Sequence, residues 1–231
     1  MRKITFGLLP VVLSLVMTSC WVYRPQLADI PLIDHRGDMR LSCSVNANPL
    51  LPYKARIGRY LFPVPGVSST FSAGLTDKAA VQLYSDLQGE ILYSHAAAGL
   101  YKSYGGSVLE GYLGIGCGHG HIYIDAEPAS SDVYYICPFV QVNYGWHLGV
   151  HWDAGVSMKT GDWIPFKIRG AEGESHPSQA PLLEPQLFVR VGGENTKFLL
   201  QVGYTYLVGW PNSHLLRYFP VTVGMGLSFV L

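Results

Sequence analysis

Apolar and small or polar residues alternate one for one along most of this chain, and a period of two admits only extended strands with two unlike faces. The C-terminal stretch shows it best. Phe219, Val221, Val223, Met225, Leu227, Phe229 and Leu231 form one face, and Pro220, Thr222, Gly224, Gly226, Ser228 and Val230 the other. From Trp146 to Lys159, Trp146, Leu148, Val150, Trp152, Ala154, Val156 and Met158 oppose His147, Gly149, His151, Asp153, Gly155, Ser157 and Lys159. Weaker alternation places Phe198, Leu200 and Val202 opposite Lys197, Leu199 and Gln201, and Leu187 and Val189 opposite Gln186 and Arg190. Helical periodicity is nearly absent. The expected fold is all-β, with ten strands near 39–47, 67–75, 79–87, 92–101, 107–118, 132–143, 147–160, 182–192, 197–208 and 217–231.

The connections alternate in length. Tight turns are expected at Thr76-Asp77-Lys78, from Lys102 to Gly106, at Tyr144-Gly145-Trp146 and from Gly193 to Thr196. Longer links are expected at 48–66, 119–131, 161–181 and 209–216, with 88–91 breaking the series. One rim of tight turns and one of loops is the mark of an antiparallel up-and-down barrel. Facing survives the turns, since Leu75 and Ala79 both belong to apolar faces; hairpin partners must point the same way. An outer-membrane barrel, apolar outside and small or polar inside, follows as the expected architecture for 39–231. With an even strand count both ends of the barrel lie at the tight-turn rim, which is periplasmic in such proteins.

The N-terminus reads as a targeting signal. Arg2 and Lys3 precede the apolar run Ile4–Val16, too short to span a bilayer, and Met17-Thr18-Ser19-Cys20 follows. This junction resembles the lipobox of bacterial lipoproteins, although Met17 and Ser19 stand where Leu and Gly or Ala are usual. Residues 1–19 are then the signal peptide, Cys20 the lipidation site and 20–38 a lipid-anchored linker. Lys and Arg together number 16, as do Asp and Glu, and Arg2 and Lys3 fall in the leader. The mature chain is therefore slightly acidic, without the basic patch that nucleic acid requires. Charged residues make up 14% of the chain, well under the roughly 25% of soluble domains. Cys43, Cys117 and Cys137 remain as an odd set on separate strands, read as small hydrophobes, with one bridge among them left open.

Candidate chemistry is sparse. His147, His151 and Asp153 share the polar face of one expected strand, which makes them a lumen polar cluster. The two histidines, four residues apart, stand roughly 13 Å from each other and cannot share a metal unaided. His151 and Asp153 are neighbours there, and a lipid-modifying enzyme would need a serine from an adjacent strand beside them. Cys117, His119 and His121, with Asp125 beyond, alternate along a strand and do not converge on a metal. The expectation is therefore no catalytic site, no metal and no cofactor. The link 161–181, with Glu172, Glu174 and His176, reads as an external contact surface, and 48–66, with Tyr53, Tyr60 and Phe62, as a cover for the barrel mouth.

Cys20, the run Ala28-Asp29-Ile30-Pro31-Leu32, the run Arg36-Gly37-Asp38-Met39-Arg40-Leu41-Ser42 and Phe71 to Lys78 together resemble small outer-membrane barrel lipoproteins of the Bacteroidetes type. That resemblance implies a membrane barrel and supplies no catalytic residue. Surface-exported members usually carry acidic residues just after the cysteine. Trp21-Val22-Tyr23-Arg24-Pro25-Gln26 has none, which implies an anchor held on the periplasmic side. The expected role is structural or interactive, in the outer-membrane lipid bilayer, as an accessory to another outer-membrane protein. Two other readings stay open: a barrel enzyme acting on lipid or lipopolysaccharide through the 147–153 face, and a tethered periplasmic β-sandwich or lipocalin-like binder.

Overall fold

A computed structural model describes residues 26, 27, 29–48, 64–88, 91–123, 130–169, 179–207 and 221–231. Its strands are β1 (Met39–Asn48), β2 (Val64–Gly74), β3 (Ala79–Gln88), β4 (Ile91–Ser103), β5 (Ser107–Tyr123), β6 (Ser130–His147), β7 (Trp152–Arg169), β8 (Ala180–Gly192), β9 (Thr196–Tyr204), β10 (Tyr206–Leu207) and β11 (Val221–Val230). Each strand from β1 to β8 pairs antiparallel with the next; β9 pairs with β8 and β11, and β11 with β1. β10 continues β9 past Thr205 along the same neighbour, β8. The ring is therefore closed, with ten antiparallel staves. Closure leaves no unpaired edge, which a chain this rich in alternating strands needs if it is not to aggregate. The sandwich reading fails here, because a single sheet closes on itself.

The faces divide as the alternation predicts. Leu83, Leu100, Leu113, Ile115, Val140, Leu187, Val202 and Met225 point outward and are exposed. Ser42, Ser44, Gln82, Glu110, Gln141, Asn143, Asp153, Lys159, Arg190 and Gln201 point inward and are buried. A lipocalin-like binder needs its apolar faces inward, and this barrel has them outward.

Two expectations about length and register change. β5 to β8 run further toward the loop rim than expected, so ladder pairing reaches Tyr123↔Ser130 and takes up residues assigned to links. The expected turn at Tyr144-Gly145-Trp146 lies inside β6; the chain turns after His147, with Gly149 at φ +81°. His147 and Asp153 are cross-strand partners. They stand an even number of residues apart, so the alternation runs through the turn unbroken and disguises it as strand.

The core of the molecule is its lumen, and the described residues ahead of β1 pack inside it. Residues 26–38 were expected to be linker, yet Leu27, Ile30, Leu32 and Ile33 are each 2% exposed or less. Ile30 and Leu32 pack with Val108, Phe188 and Leu199. Ile33 packs with Ala80, Ala97, Tyr101, Tyr112 and Phe139. These are the inward apolar residues of the staves, and without the segment they would line an open channel. Glycines on the wall make room for it: a Cβ on Gly74 would lie 2.5 Å from the His35 carbonyl oxygen and 2.9 Å from Ile33 Cγ2. We call residues 26–38 the plug.

Gly74→Ala is accordingly expected to lower the unfolding free energy by about 1–3 kcal/mol through overpacking against plug backbone. Gly111→Ala, whose Cβ meets nothing within 4 Å, should stay within about 0.5 kcal/mol. Urea titration in detergent, read by the heat-modifiable gel shift, measures both.

Candidate functional site

The site with the densest chemistry lies low in the lumen, where the plug meets β1, β6, β7, β8 and β9. Inward positions of β6 to β9, and of β1 beyond β11, carry Arg40, His147, Asp153, Arg190 and Lys197. Asp153 is fully buried and gathers the others: His147 Nδ1 at 2.8 Å, Lys197 Nζ at 2.9 Å, and Arg40 and Arg190 guanidinium nitrogens at 3.5 and 3.6 Å. One carboxylate cannot balance that much positive charge. The plug supplies more, as Arg190 donates to the Asp29 carboxylate and to the Ile30 carbonyl oxygen. Asp29 is further fixed by its amide donating to Thr70 Oγ1 at 3.2 Å and by Gln82 Nε2 donating to its carbonyl at 2.9 Å. Ion pairs removed from water persist only where each charge has an opposite charge beside it.

Above and below this hub the plug is tied by polar contacts of the same kind. The Ile33 amide donates to Glu110 Oε1 at 2.8 Å, and Glu110 Oε2 accepts from Asn143 Nδ2 at 2.9 Å. Gln186 Nε2 donates to the Gln26 carbonyl at 2.8 Å, and Lys159 Nζ donates to Gln26 Oε1. At the rim, Asp38 Oδ2 accepts from the Asp34 and His35 amides at 3.0 and 2.8 Å, and the Gly37 amide donates to the Gly74 carbonyl at 2.9 Å. Higher up, His95 stacks on Tyr84 at 4.9 Å between ring centroids and meets Phe139 edge-on, and Lys159 Nζ sits 4.6 Å over the Phe139 ring.

The predicted cluster is brought together only in part. His147 and Asp153 bond directly. His151 lies in the exposed turn, where its Nδ1 faces the Gly192 carbonyl oxygen at 2.9 Å, because the turn after His147 carries it out of the lumen face. His147 Nε2 stands 2.9 Å from Asp34 Oδ2. With a carboxylate on each ring nitrogen, this imidazole has no lone pair open toward a substrate. No described hydrogen bond joins either histidine to a serine hydroxyl. Burial works against the ionised Asp34 carboxyl, but hydrogen bonds from His147 and Ser103 outweigh it and hold the group below the ordinary carboxylate range.

Cys43 and Cys117 lie exposed on the outer wall, and Cys137 is buried; all three are free thiols. His119 packs its ring on Tyr134, 4.5 Å between centroids. β5 stays extended through Cys117-Gly118-His119, so these side chains project from the wall in sequence and do not gather. The side chain of His121, the residues 124–129 with Asp125, and 170–178 with Glu172, Glu174 and His176 lie outside the described residues. So do Cys20, Tyr53, Tyr60 and Phe62.

Arg40, Arg190 and Lys197 went unnoticed as site residues in the sequence, although each falls on an inward position of its strand. A charged residue at such a position is the available signal, since burial forces it to find a partner. Asp29 carried no comparable signal, because it belongs to no strand.

The fold and site thus define a closed antiparallel barrel plugged by its own N-terminal segment. The sequence matches no protein-family model and no curated protein. Among solved structures it is similar to the outer membrane protein OprG from Pseudomonas aeruginosa, at 13% identity and a TM-score of 0.43, covering 88% of this chain and 99% of that one. It is also similar to the outer membrane protein OpdK from Pseudomonas aeruginosa, at 11% identity and a TM-score of 0.29, covering 89% of this chain and 74% of that one.

Asp153→Ala should destabilise the barrel by about 3–5 kcal/mol, the penalty of stranding buried cations, seen as a lowered urea midpoint in detergent. Because folding depresses the Asp34 carboxyl, its contribution is complete above the ordinary value of 3.8 and is lost as pH falls through the lower folded value. Asp34→Asn should therefore lose stability at neutral pH and show a shallower acid limb than the parent. Equal acid limbs would show that Asp34 contributes nothing.

Proposed function

We propose that the protein is a bacterial outer-membrane lipoprotein whose barrel spans the bilayer as a closed, non-conducting body and serves as an accessory subunit of a larger outer-membrane assembly. The observation that carries this is the pairing of an apolar, exposed exterior with a lumen filled by the plug. A wall of Leu, Val, Ile and Met facing outward on every side suits hydrocarbon. The buried side chains of Gln26, Leu27, Asp29, Ile30, Leu32 and Ile33 occupy the lumen, which favours contacts made by the wall and the rims over passage of solute. The lipidation of Cys20 is supported by its place after an export signal, and stable anchoring takes the two or three chains such a cysteine carries.

The geometry of His147 speaks against the lipid-modifying reading, since both of its ring nitrogens face carboxylates and Asp153 is shared among His147, Arg40, Arg190 and Lys197. His147→Gln and His151→Ala should leave the lipid A species of the cell unchanged in mass spectra; loss of one modified species with either variant makes the protein an enzyme.

Embedding is tested on the Cys20→Ser form, which removes the anchor. It should resist extraction by carbonate and urea, and release as a folded soluble domain would overturn the reading. Leu113→Arg, far out on the wall, should cost about 2–4 kcal/mol if it sits near mid-bilayer, measured by refolding into phospholipid vesicles. Fatty-acid labelling should disappear in Cys20→Ser. Gentle detergent extraction should co-purify one outer-membrane protein in fixed ratio with this chain; recovery of the barrel alone, at native expression and after crosslinking, removes the accessory role.

A further inference from the structure

The ladder between β8 and β9 stops short near the middle of β8. Pairing runs from Gly192↔Lys197 to Gln186↔Gly203 and resumes at Leu183↔Tyr206, where β10 continues β9. The register is the same on both sides of the gap, so no residue is bulged out; Pro185 opposite Tyr204 and Glu184 opposite Thr205 are the steps that do not pair. Proline is the cause. At the hairpin turn the Gly193 amide donates to the Thr196 carbonyl, and directly bonded pairs recur at every second residue of an antiparallel ladder. Counting up the hairpin in twos makes Val191–Phe198, Val189–Leu200 and Leu187–Val202 such pairs. The next is Pro185–Tyr204. The proline carbonyl can accept from the Tyr204 amide, but proline has no N–H to give the Tyr204 carbonyl. That carbonyl points toward β8, because the N–H and C=O of one strand residue face the same neighbour.

On the lumen side the gap is closed by polar contacts. Thr205 Oγ1 donates to Glu184 Oε1 at 2.9 Å, and Glu184 Oε2 lies 3.4 Å from Lys159 Nζ. On the outer side the wall is hollowed into a groove of about 650 Å³, which Pro185 lines together with the exposed side chains of Val142, Val156, Met158, Leu187, Val202 and Tyr204. We propose that this groove holds the acyl chain of a membrane lipid that bears a hydroxyl along its length, with the methylenes on the apolar lining and the hydroxyl donating to the Tyr204 carbonyl. The hydrocarbon setting rests on the reading of the barrel as embedded, whereas the gap rests on register and on the chemistry of proline. Hydrocarbon cannot satisfy a backbone carbonyl, and one left bare at membrane depth is costly. A plain acyl chain fills the groove and leaves the carbonyl bare. A hydroxylated chain does both. The volume lies within the roughly 300–1,000 Å³ of small-molecule sites, which pair an apolar lining with a few placed polar groups. One acceptor over an apolar trough matches a ligand with one donor on a long apolar body.

The test uses the full chain folded into vesicles of dioleoylphosphatidylcholine, with the heat-modifiable gel shift verifying each variant. Two probes are compared at the same low fraction: a phosphatidylcholine whose acyl chain carries a diazirine and a mid-chain hydroxyl, and its counterpart with the diazirine alone. After illumination, mass spectrometry reads the labelled peptides of β7–β9 against those of β2–β4 on the opposite wall. With the hydroxylated probe, β7–β9 should be labelled at least fivefold above the opposite wall and at least threefold above the same strands with the plain probe. Pro185→Ala supplies the missing N–H and should bring the two probes level. Val202→Trp fills the groove and should lower β7–β9 to the level of the opposite wall with both probes. Leu83→Trp, exposed on β3, should change neither. Even labelling around the wall with the hydroxylated probe, or a hydroxyl advantage that survives Pro185→Ala, overturns the proposal and leaves the embedded barrel standing. A wall labelled by neither probe overturns the embedding, and the occupant of the groove with it.

Discussion

The ion pairs around Asp153 and its cross-strand partner Arg190 bind the plug to the wall of the barrel. Asp153 belongs to the start of β7, Arg190 to the end of β8, and Asp29 to the plug. Arg190 bridges the two carboxylates, and Arg40 and Lys197 complete the charge on the wall side. Each of these groups is buried, so each depends on the others for what water would otherwise provide. Remove the plug and Arg190 loses Asp29; remove the wall cations and Asp153 is stranded. Barrel and plug are for that reason one folding unit, not a pore with a detachable stopper.

This coupling explains the distribution of residue types around the lumen. Where the plug presents aliphatic side chains, the wall answers with glycine or with Val108, Phe188 and Leu199. Where it presents backbone amides and carbonyls, the wall answers with Thr70, Gln82, Glu110 and Gln186. From Gln26 to Ile33 the segment belongs to no ladder, and its backbone bonds go to side chains of the wall. Thr70, Gln82 and Gln186 on inward positions serve that need, while Ser44, Asn46 and Ser68 bond one another across the wall. A water-filled channel would not require such specific partners.

The outer wall follows a simpler rule. Its residues have only to be apolar and about the right size, because they face outward and fit no complementary surface within the chain. Period-two alternation reports that rule directly. The ten staves, their order and the outward direction of the apolar faces were for this reason legible from residues such as Leu187, Leu200 and Met225. The turn after His147 was not, since an even spacing between paired residues leaves the alternation intact across it. His151 was consequently placed beside Asp153 when it lies outside, while Asp34, the other carboxylate on His147, went unseen.

By itself the sequence determined the closed all-β architecture and the sidedness of the wall, because these depend on local periodicity and residue type. The role of Asp29, the partners of Asp153 and the path of residues 26–38 were decided only by the tertiary structure. A segment without periodicity carries no record of its surroundings; Leu27-Ala28-Asp29-Ile30-Pro31-Leu32-Ile33 reads equally well as a linker. It becomes a plug only once ten staves curve around it and present glycines to its leucines and an arginine to its aspartate. Those contacts join residues more than a hundred positions apart, a separation across which local pattern holds no information.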